Sequence, residues 1–249
     1  MDLKNKTVLV TGASSGIGQA IAIACAQKGA IVCINYRKNL EGAQQTLAEV
    51  QKHSKGHIFQ ADLTQEEQVK KMFASFASAT GPIDALVNNA GEAYVGDADD
   101  FFDNTIWRNQ FENIFFSALF ASQQFLRQNT DAALRKIVNI TTVYGNPGFG
   151  KTTAFAYSTA KAALSSMTAT LAKINPRVLV NAIAPGYTWT PPWEGISDEE
   201  KKRYEERTII GRYCTPDEIA HTAIAVLEND AITGQIITVD GGLLLKRAL

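Results

Sequence analysis

The stretch Thr7-Val8-Leu9-Val10-Thr11-Gly12-Ala13-Ser14-Ser15-Gly16-Ile17-Gly18 decides the fold. Its apolar run reads as a buried strand over residues 6–11 that feeds directly into a cluster of glycines. Apolar residues then recur at Ile17, Ala20, Ile21, Ala24 and Cys25, the 3.6-residue period of a helix with one face on a sheet. Gly29 stops that helix, and residues 30–36 read as a second buried strand. Strand, glycine turn, helix and strand make a βαβ unit, with a right-handed crossover expected. In such a unit Gly12 permits the tight turn, Gly16 lets backbone approach a pyrophosphate, and Gly18 lets the helix pack closely on the strand. Free N–H groups and the dipole at the helix start favour negative charge there. The same turn would also serve as a plain connection, so the rest of the chain has to discriminate.

The alternation continues. Leu40, Ala43, Leu47 and Val50 mark a second helix, residues 57–61 a strand, and residues 65–79 a third helix. Asp62-Leu63-Thr64 lies between them, where Asp62 is also placed to cap the helix. After Gly81-Pro82 comes the strand 84–88, followed by Asn88-Asn89-Ala90-Gly91 at a strand's C-terminal end, where open α/β sheets bind ligands. A long helix over 105–128 carries Asn113, and the strand 136–141 runs into Thr141-Thr142-Val143-Tyr144-Gly145. Ala160, Ala163, Leu164, Met167, Leu171 and Ile174 form the buried stripe of a further helix, which breaks at Asn175-Pro176. The strand 178–184 ends at Pro185-Gly186, a helix covers 215–227, and the strand 235–239 leads to Asp240-Gly241-Gly242. The excursion 187–212, with Trp189, Trp193 and the charged run Asp198-Glu199-Glu200-Lys201-Lys202-Arg203, reads as a substrate lid whose charged run is a solvated helix face. The expectation is an α/β, doubly wound Rossmann-like parallel sheet of about seven strands with helices on both faces. It forms one domain over residues 1–249.

Composition bounds the function. The 249 residues are 45% hydrophobic and carry a net charge of −1, with no basic run, which argues against nucleic-acid or anionic-membrane partners. The N-terminus has no apolar signal core and no later run is long enough to span a bilayer, so a cytoplasmic setting is expected. The three cysteines, Cys25, Cys33 and Cys214, are scattered and read as buried thiols. His53, His57 and His221 have no metal-ligand spacing, so no metal is expected.

The chemistry concentrates in Tyr157-Ser158-Thr159-Ala160-Lys161. Four residues are about one helical turn, so the tyrosine and the lysine share a face. A phenol with a pKa of about 10 is a poor acid–base group near neutrality. A neighbouring ammonium favours the phenolate and draws that value towards the working range. A packed tyrosine beside a solvated lysine would show the same spacing.

The assembled motifs resemble the short-chain dehydrogenase/reductase family over nearly the whole chain. They are Thr11-Gly12-x-x-x-Gly16-x-Gly18, Asp62, Asn88-Asn89-Ala90-Gly91, Asn113, Thr142, Tyr157-x-x-x-Lys161, Pro185-Gly186-x-x-x-Thr190 and Asp240-Gly241-Gly242. The resemblance implies that Tyr157 is the acid in reduction and the base in oxidation. Lys161 lowers its pKa and holds the nicotinamide ribose, Thr142 orients the substrate carbonyl, and Asn113 holds a water in a proton relay. It further implies that Ser14, Ser15 and Ile17 join the three glycines around the cofactor. Tyr36, Arg37, Asp62 and Leu63 flank its adenosine end, Asn89, Ala90 and Gly91 line the groove, and Pro185, Gly186, Thr188 and Thr190 reach the nicotinamide. Most members have serine where this chain has Thr142; threonine keeps the hydroxyl and adds a methyl, and the neighbouring Thr141 is an alternative. An acid at the end of the second strand would favour NAD. Here Arg37 and Lys38 stand instead, so NADP(H) is expected, with NAD(H) not excluded. The general layout is like that of the 3-oxoacyl-thioester reductases. A sugar, polyol or steroid alcohol dehydrogenase on the same scaffold is the alternative, and a non-catalytic dinucleotide sensor a further one. Trp189, Trp193, Tyr144 and Phe149 favour a small, partly apolar carbonyl or alcohol substrate. A homo-oligomer, tetramer or dimer, is the family-level expectation.

Overall fold

The computed structural model describes residues 1–128, 130 and 134–246. Its sheet has seven strands: β1 Thr7–Val10, β2 Ile31–Tyr36, β3 Gly56–Gln60, β4 Ala85–Asn88, β5 Arg135–Ile140, β6 Val178–Pro185 and β7 Ile236–Val239. They are ordered β3-β2-β1-β4-β5-β6-β7, and every neighbouring pair is parallel. The order turns back between β1 and β4, which opens a crevice at the C-terminal ends of those two strands.

Helices cover both faces. They are α1 Gly16–Gln27, α2 Leu40–Gln51, α3 Glu66–Ala79, α4 Asn104–Phe111, α5 Ser117–Arg127, α6 Phe155–Leu171, α7 Asp198–Glu205 and α8 Pro216–Glu228. Strand β1 shows why both faces must be covered. Val8 and Val10 pack on one side with Ile21 and Cys25 of α1 and Ile219 of α8. Leu9 points the other way, to Val69 and Phe76 of α3 and Phe125 of α5. All four β1 residues are buried, as a parallel strand covered on both sides requires. Cys25, Cys33 and Cys214 are buried free thiols, and burial pushes the first two up to about 12. Among the described residues no helix is long and apolar enough to cross a membrane.

Two expectations change. The helix expected over 105–128 is interrupted: between α4 and α5 the chain widens into a π-type turn at Glu112–Phe116, which contains Asn113. Such wide turns leave the ordinary i→i−4 ladder locally, often at functional sites. Ile174, expected in the buried stripe of α6, lies beyond the helix end at Leu171 and is 63% exposed. A polar ladder that periodicity does not announce crosses the core: Asn88 donates to Ser122 (3.0 Å) and Asn139 (2.8 Å), and Asn139 donates to Thr168 (2.9 Å).

Gly18 marks where packing is tightest. A Cβ there would stand 2.6 Å from the Gly12 carbonyl oxygen and collide with the Asn89 amide nitrogen. Replacing a helical glycine by alanine gains about 1 kcal/mol of propensity, but overpacking against backbone costs about 1–3 kcal/mol. Gly18→Ala is therefore expected to lower the unfolding free energy by up to about 2 kcal/mol, read by urea denaturation.

Candidate active site

The loops leaving β1, β2 and β4 are laced together at the crevice. The Thr11 hydroxyl donates to the Val87 carbonyl (3.2 Å) and accepts from the backbone N–H of Asn89 (2.9 Å) and Ala90 (3.0 Å). Asn89 returns its side-chain amide to the carbonyls of Thr11 (3.0 Å) and Gly12 (3.1 Å). The Asn35 side chain accepts from Gly12 N–H (3.3 Å) and donates to the Ala61 carbonyl (3.2 Å), which brings in β2 and the end of β3. Gly12 has φ +59, and a Cβ on it would approach Ala90 Cα to 2.8 Å. Asn35 was not among the residues expected at the site; its only sequence signal is a polar residue inside an otherwise apolar strand.

A cavity of about 870 Å³ opens over this seam, within the roughly 300–1,000 Å³ usual for small-molecule sites. Its wall includes Gly12, Ser14, Ser15 and Ile17 from the first turn, Arg37, Asp62 and Leu63 at one end, and Asn89, Ala90 and Gly91 along the middle. Asn113, Thr142, Tyr157, Lys161, Pro185, Gly186, Thr188 and Thr190 complete it. Three expected residues stand off that wall. Gly16 lies behind it, facing the Thr190 methyl; Gly18 is packed on Asn89; Tyr36 is buried. Asp62 is engaged as the cap reading anticipates, accepting from the N–H and hydroxyl of Thr64 (3.0 and 2.8 Å), while still lining the cavity.

These residues fit an anionic dinucleotide. The α1 N-cap, Ser15, makes no side-chain cap, which leaves the first N–H groups of α1 available at the cavity edge. Arg37 and Lys38 line the end of β2, and Arg37 is in no ion pair among the described residues. Its guanidinium reaches across the groove and donates to the Asn113 side-chain oxygen at 3.0 Å. Asn113 also donates to the Asn109 carbonyl (2.7 Å), and its own carbonyl accepts from the Ser117 hydroxyl (2.7 Å). The contact joins residues far apart in the chain, and nothing in their sequence neighbourhoods signals it.

At the reacting end, Tyr157 and Lys161 stand in the first two turns of α6. The Lys161 ammonium donates to the Ile140 carbonyl at 2.7 Å and lies 6.0 Å from the Tyr157 ring centroid. Lys161 is only 4% exposed, and burial draws its pKa down to about 8. Burial raises the Tyr157 phenol, while a hydrogen bond with Thr142 pulls the other way. The expectation that Lys161 draws the phenol down is thus modified: desolvation is the larger effect on both groups, and the ammonium is aimed at a carbonyl. Thr142 and Thr141 are distinguished by where their hydroxyls go. Thr141 donates into the sheet, to the Ile183 carbonyl at 3.0 Å, whereas Thr142 lies on the cavity wall beside Tyr157, donating to the Pro185 carbonyl and accepting from Tyr144 N–H, both at 3.4 Å.

Residues 187–212 close the other end of the cavity. They contain the short turn Pro191–Trp193 and α7, which is fixed by a capping box between Ser197 and Glu200. Most α7 charges face solvent, but Glu200 reaches the cavity wall, Lys201 lies 4.7 Å from the Trp189 ring centroid, and Tyr204 turns inward and meets Tyr187, Trp193 and Tyr213. Tyr144 and Tyr187 share a 2.6 Å hydrogen bond between their hydroxyls.

Comparison with known proteins follows the same lines. Residues 12–244 match the family model described as enoyl-(acyl carrier protein) reductase. The chain is 35% identical over 251 residues to the 3-oxoacyl-[acyl-carrier-protein] reductase FabG of Aquifex aeolicus (strain VF5), covering 97% of this chain and 98% of that protein. Among solved structures it is similar to an actinorhodin polyketide ketoreductase variant crystallised with NADPH (TM-score 0.86, 30% identity, 96% of this chain and 97% of that one). It is likewise similar to Pseudomonas aeruginosa RhlG in an NADP active-site complex (TM-score 0.89, 28% identity, 97% of each chain).

The lowered Lys161 pKa has a signed consequence for stability. Folded Lys161 releases its proton near 8, whereas an unfolded lysine holds it to about 10.5. Between those values the unfolded state binds more protons, so this group makes stability rise with pH. The stability of the wild type relative to Lys161→Met is expected to increase from pH 7.5 to pH 10 in urea denaturation. A flat difference would show that Lys161 keeps its proton in the folded protein.

Proposed function

The chain belongs to the short-chain dehydrogenase/reductase family, and on that premise we propose that it is an NADP(H)-dependent carbonyl reductase acting between a ketone and a secondary alcohol. The observation that carries the reading is convergence. One cavity wall holds a tight turn where a Cβ on Gly12 would strike Ala90, a basic strand end, the partly buried Tyr157, and the buried Thr142 and Lys161. A protein that only sensed a dinucleotide would need the first two features and not the third.

Bound NADPH supplies the hydride that adds to the carbonyl carbon. The protein positions and protonates. Thr142 holds the carbonyl oxygen by its hydroxyl, orienting it and stabilising the developing alkoxide. Tyr157 donates its phenolic proton to that oxygen, completing the alcohol, and takes it back in the oxidative direction. The Lys161 ammonium stabilises the resulting phenolate and holds the ribose hydroxyls, and Asn113 belongs to the route that returns a proton to Tyr157. Ser14, Ser15 and Ile17 with the glycine turn hold the pyrophosphate, Asp62 and Leu63 the adenine, and Asn89, Ala90 and Gly91 the groove between. Pro185, Gly186, Thr188 and Thr190 hold the carboxamide end. Arg37 would hold the 2′-phosphate in place of its present contact with Asn113. Residues 187–212 act as the lid, excluding water with inward-turned rings. The aromatic walls favour a partly apolar carbonyl compound over a sugar or polyol.

Tyr157→Phe is expected to lower kcat for ketone reduction by about 10²–10⁴-fold, followed by NADPH absorbance. Comparable turnover by that variant would remove the proposed mechanism. Arg37→Ala is expected to raise the KM for NADPH by roughly tenfold or more while leaving the KM for NADH nearly unmoved. A wild type that prefers NADH would overturn the cofactor assignment.

A further inference from the structure

Lys151 belongs to none of the motifs that carry the chemistry, yet it lines the same cavity as Tyr157. Its ammonium stands 5.0 Å from the ring centroid of Tyr144, 5.7 Å from that of Tyr187 and 5.4 Å from that of Tyr204. Ring faces attract a cation but do not replace a counter-anion. Among the described residues Lys151 is in no ion pair. The carboxylates on the cavity wall make no ion pair with Lys151 among the described residues. Asp62 is held by Thr64, and Glu200 is engaged by Ser197 and Arg203. Glu92 follows the turn after β4. A second cation, Arg207, also approaches this cluster, 5.9 Å from the Tyr187 ring centroid.

The position of Lys151 is fixed by the catalytic helix. Its N–H donates to the Ser158 hydroxyl (3.4 Å), one residue beyond Tyr157, and its carbonyl accepts from Ala154 N–H (3.1 Å). Burial, with Arg207 adding repulsion, lowers the Lys151 pKa, as expected for an ammonium short of solvent and of an anion. An arriving carboxylate would supply what the site lacks, and the tyrosine rings would flank the flat apolar body that carries it.

Resting on the reductase reading above, we propose that Lys151 is a specificity-determining residue that anchors a substrate carboxylate. The chain would then select ketones bearing a free carboxylate on a flat apolar frame, in preference to their neutral esters, amides or thioesters. The chemistry needed is local: the charge sits on the substrate itself, not on a distant carrier.

The test compares 4-acetylbenzoate with its methyl ester, using wild type, Lys151→Met and Lys151→Arg. Wild type is expected to favour the acid in kcat/KM by roughly tenfold to a hundredfold, the worth of one charged hydrogen bond. Lys151→Met is expected to collapse that ratio through KM, and Lys151→Arg to keep most of it. Equal kcat/KM for acid and ester in wild type, or a ratio unchanged in Lys151→Met, overturns the proposal. Calorimetric titration of 4-acetylbenzoate and 4-acetylbenzamide, with and without NADP+, separates the two readings. If neither ketone is reduced but acid binding weakens selectively in Lys151→Met, the anchor stands and the reductase reading falls. If the acid binds no better than the amide, the anchor itself is wrong, whatever the turnover.

Discussion

The hydroxyl of Thr11 is the point on which the site depends. It donates to Val87 and accepts from Asn89 and Ala90, closing the seam between β1 and β4 where the strand order turns back. Without it the N–H groups of Asn89 and Ala90 would be part-buried donors short of a partner, at about 1–3 kcal/mol apiece, whereas the Val87 carbonyl also accepts from Thr11 N–H at 3.0 Å. With the seam closed, Gly12 is held against Ala90 and Asn89 spans to the Gly12 carbonyl, and the floor of the cavity follows. Asn35 carries the lacing on to the ends of β2 and β3.

Above that floor, Tyr157 and Lys161 sit where both would sooner be neutral. Burial raises the Tyr157 phenol and lowers the Lys161 ammonium to about 8. Solvent therefore does little to stabilise a charge on either. Whatever stabilises a phenolate must come from fixed groups: the Thr142 hydroxyl beside it and the lysine one turn along. The same desolvation makes each of those contacts stronger than it would be in water. Lys161 in turn is satisfied by a backbone carbonyl, so its position is set by the end of β5 as well as by its own helix.

The substrate end is built on different physics. Rings from Tyr144, Tyr187, Trp193 and Tyr204 meet edge to face or tilted, and the polar atoms among them pair with one another, as in the 2.6 Å Tyr144–Tyr187 contact. Helix α7 shows how a strongly charged segment can still close an apolar chamber. Most of its acidic and basic residues face solvent and its capping box fixes where it starts, while Tyr204 supplies the inward ring contacts. Lys151 is the exception inside that chamber, a cation surrounded by rings.

Spacing in the sequence determined whatever depends on local geometry. The period-3.6 and continuous apolar runs give the alternating strands and helices, because a parallel sheet covered on both faces leaves its strands no polar side. The glycines give the tight turn from β1 into α1, and the four-residue step from Tyr157 to Lys161 puts both on one face of α6 because a helical turn is 3.6 residues. Tertiary packing alone decided the rest. Thr141 and Thr142 are adjacent and chemically identical, and only the pairing of β5 with β6 sends the first hydroxyl to Ile183 within the sheet and the second to Pro185 at the strand end, beside Tyr157. The apolar pattern runs on through residues 105–128, so the wide turn at Asn113 is invisible to periodicity, as is the loss of Ile174 past the end of α6. Arg37 reaches Asn113, and Lys151 finds its tyrosines, across long chain separations. Such contacts exist only once the sheet has brought its loops to one edge, and no local propensity records them.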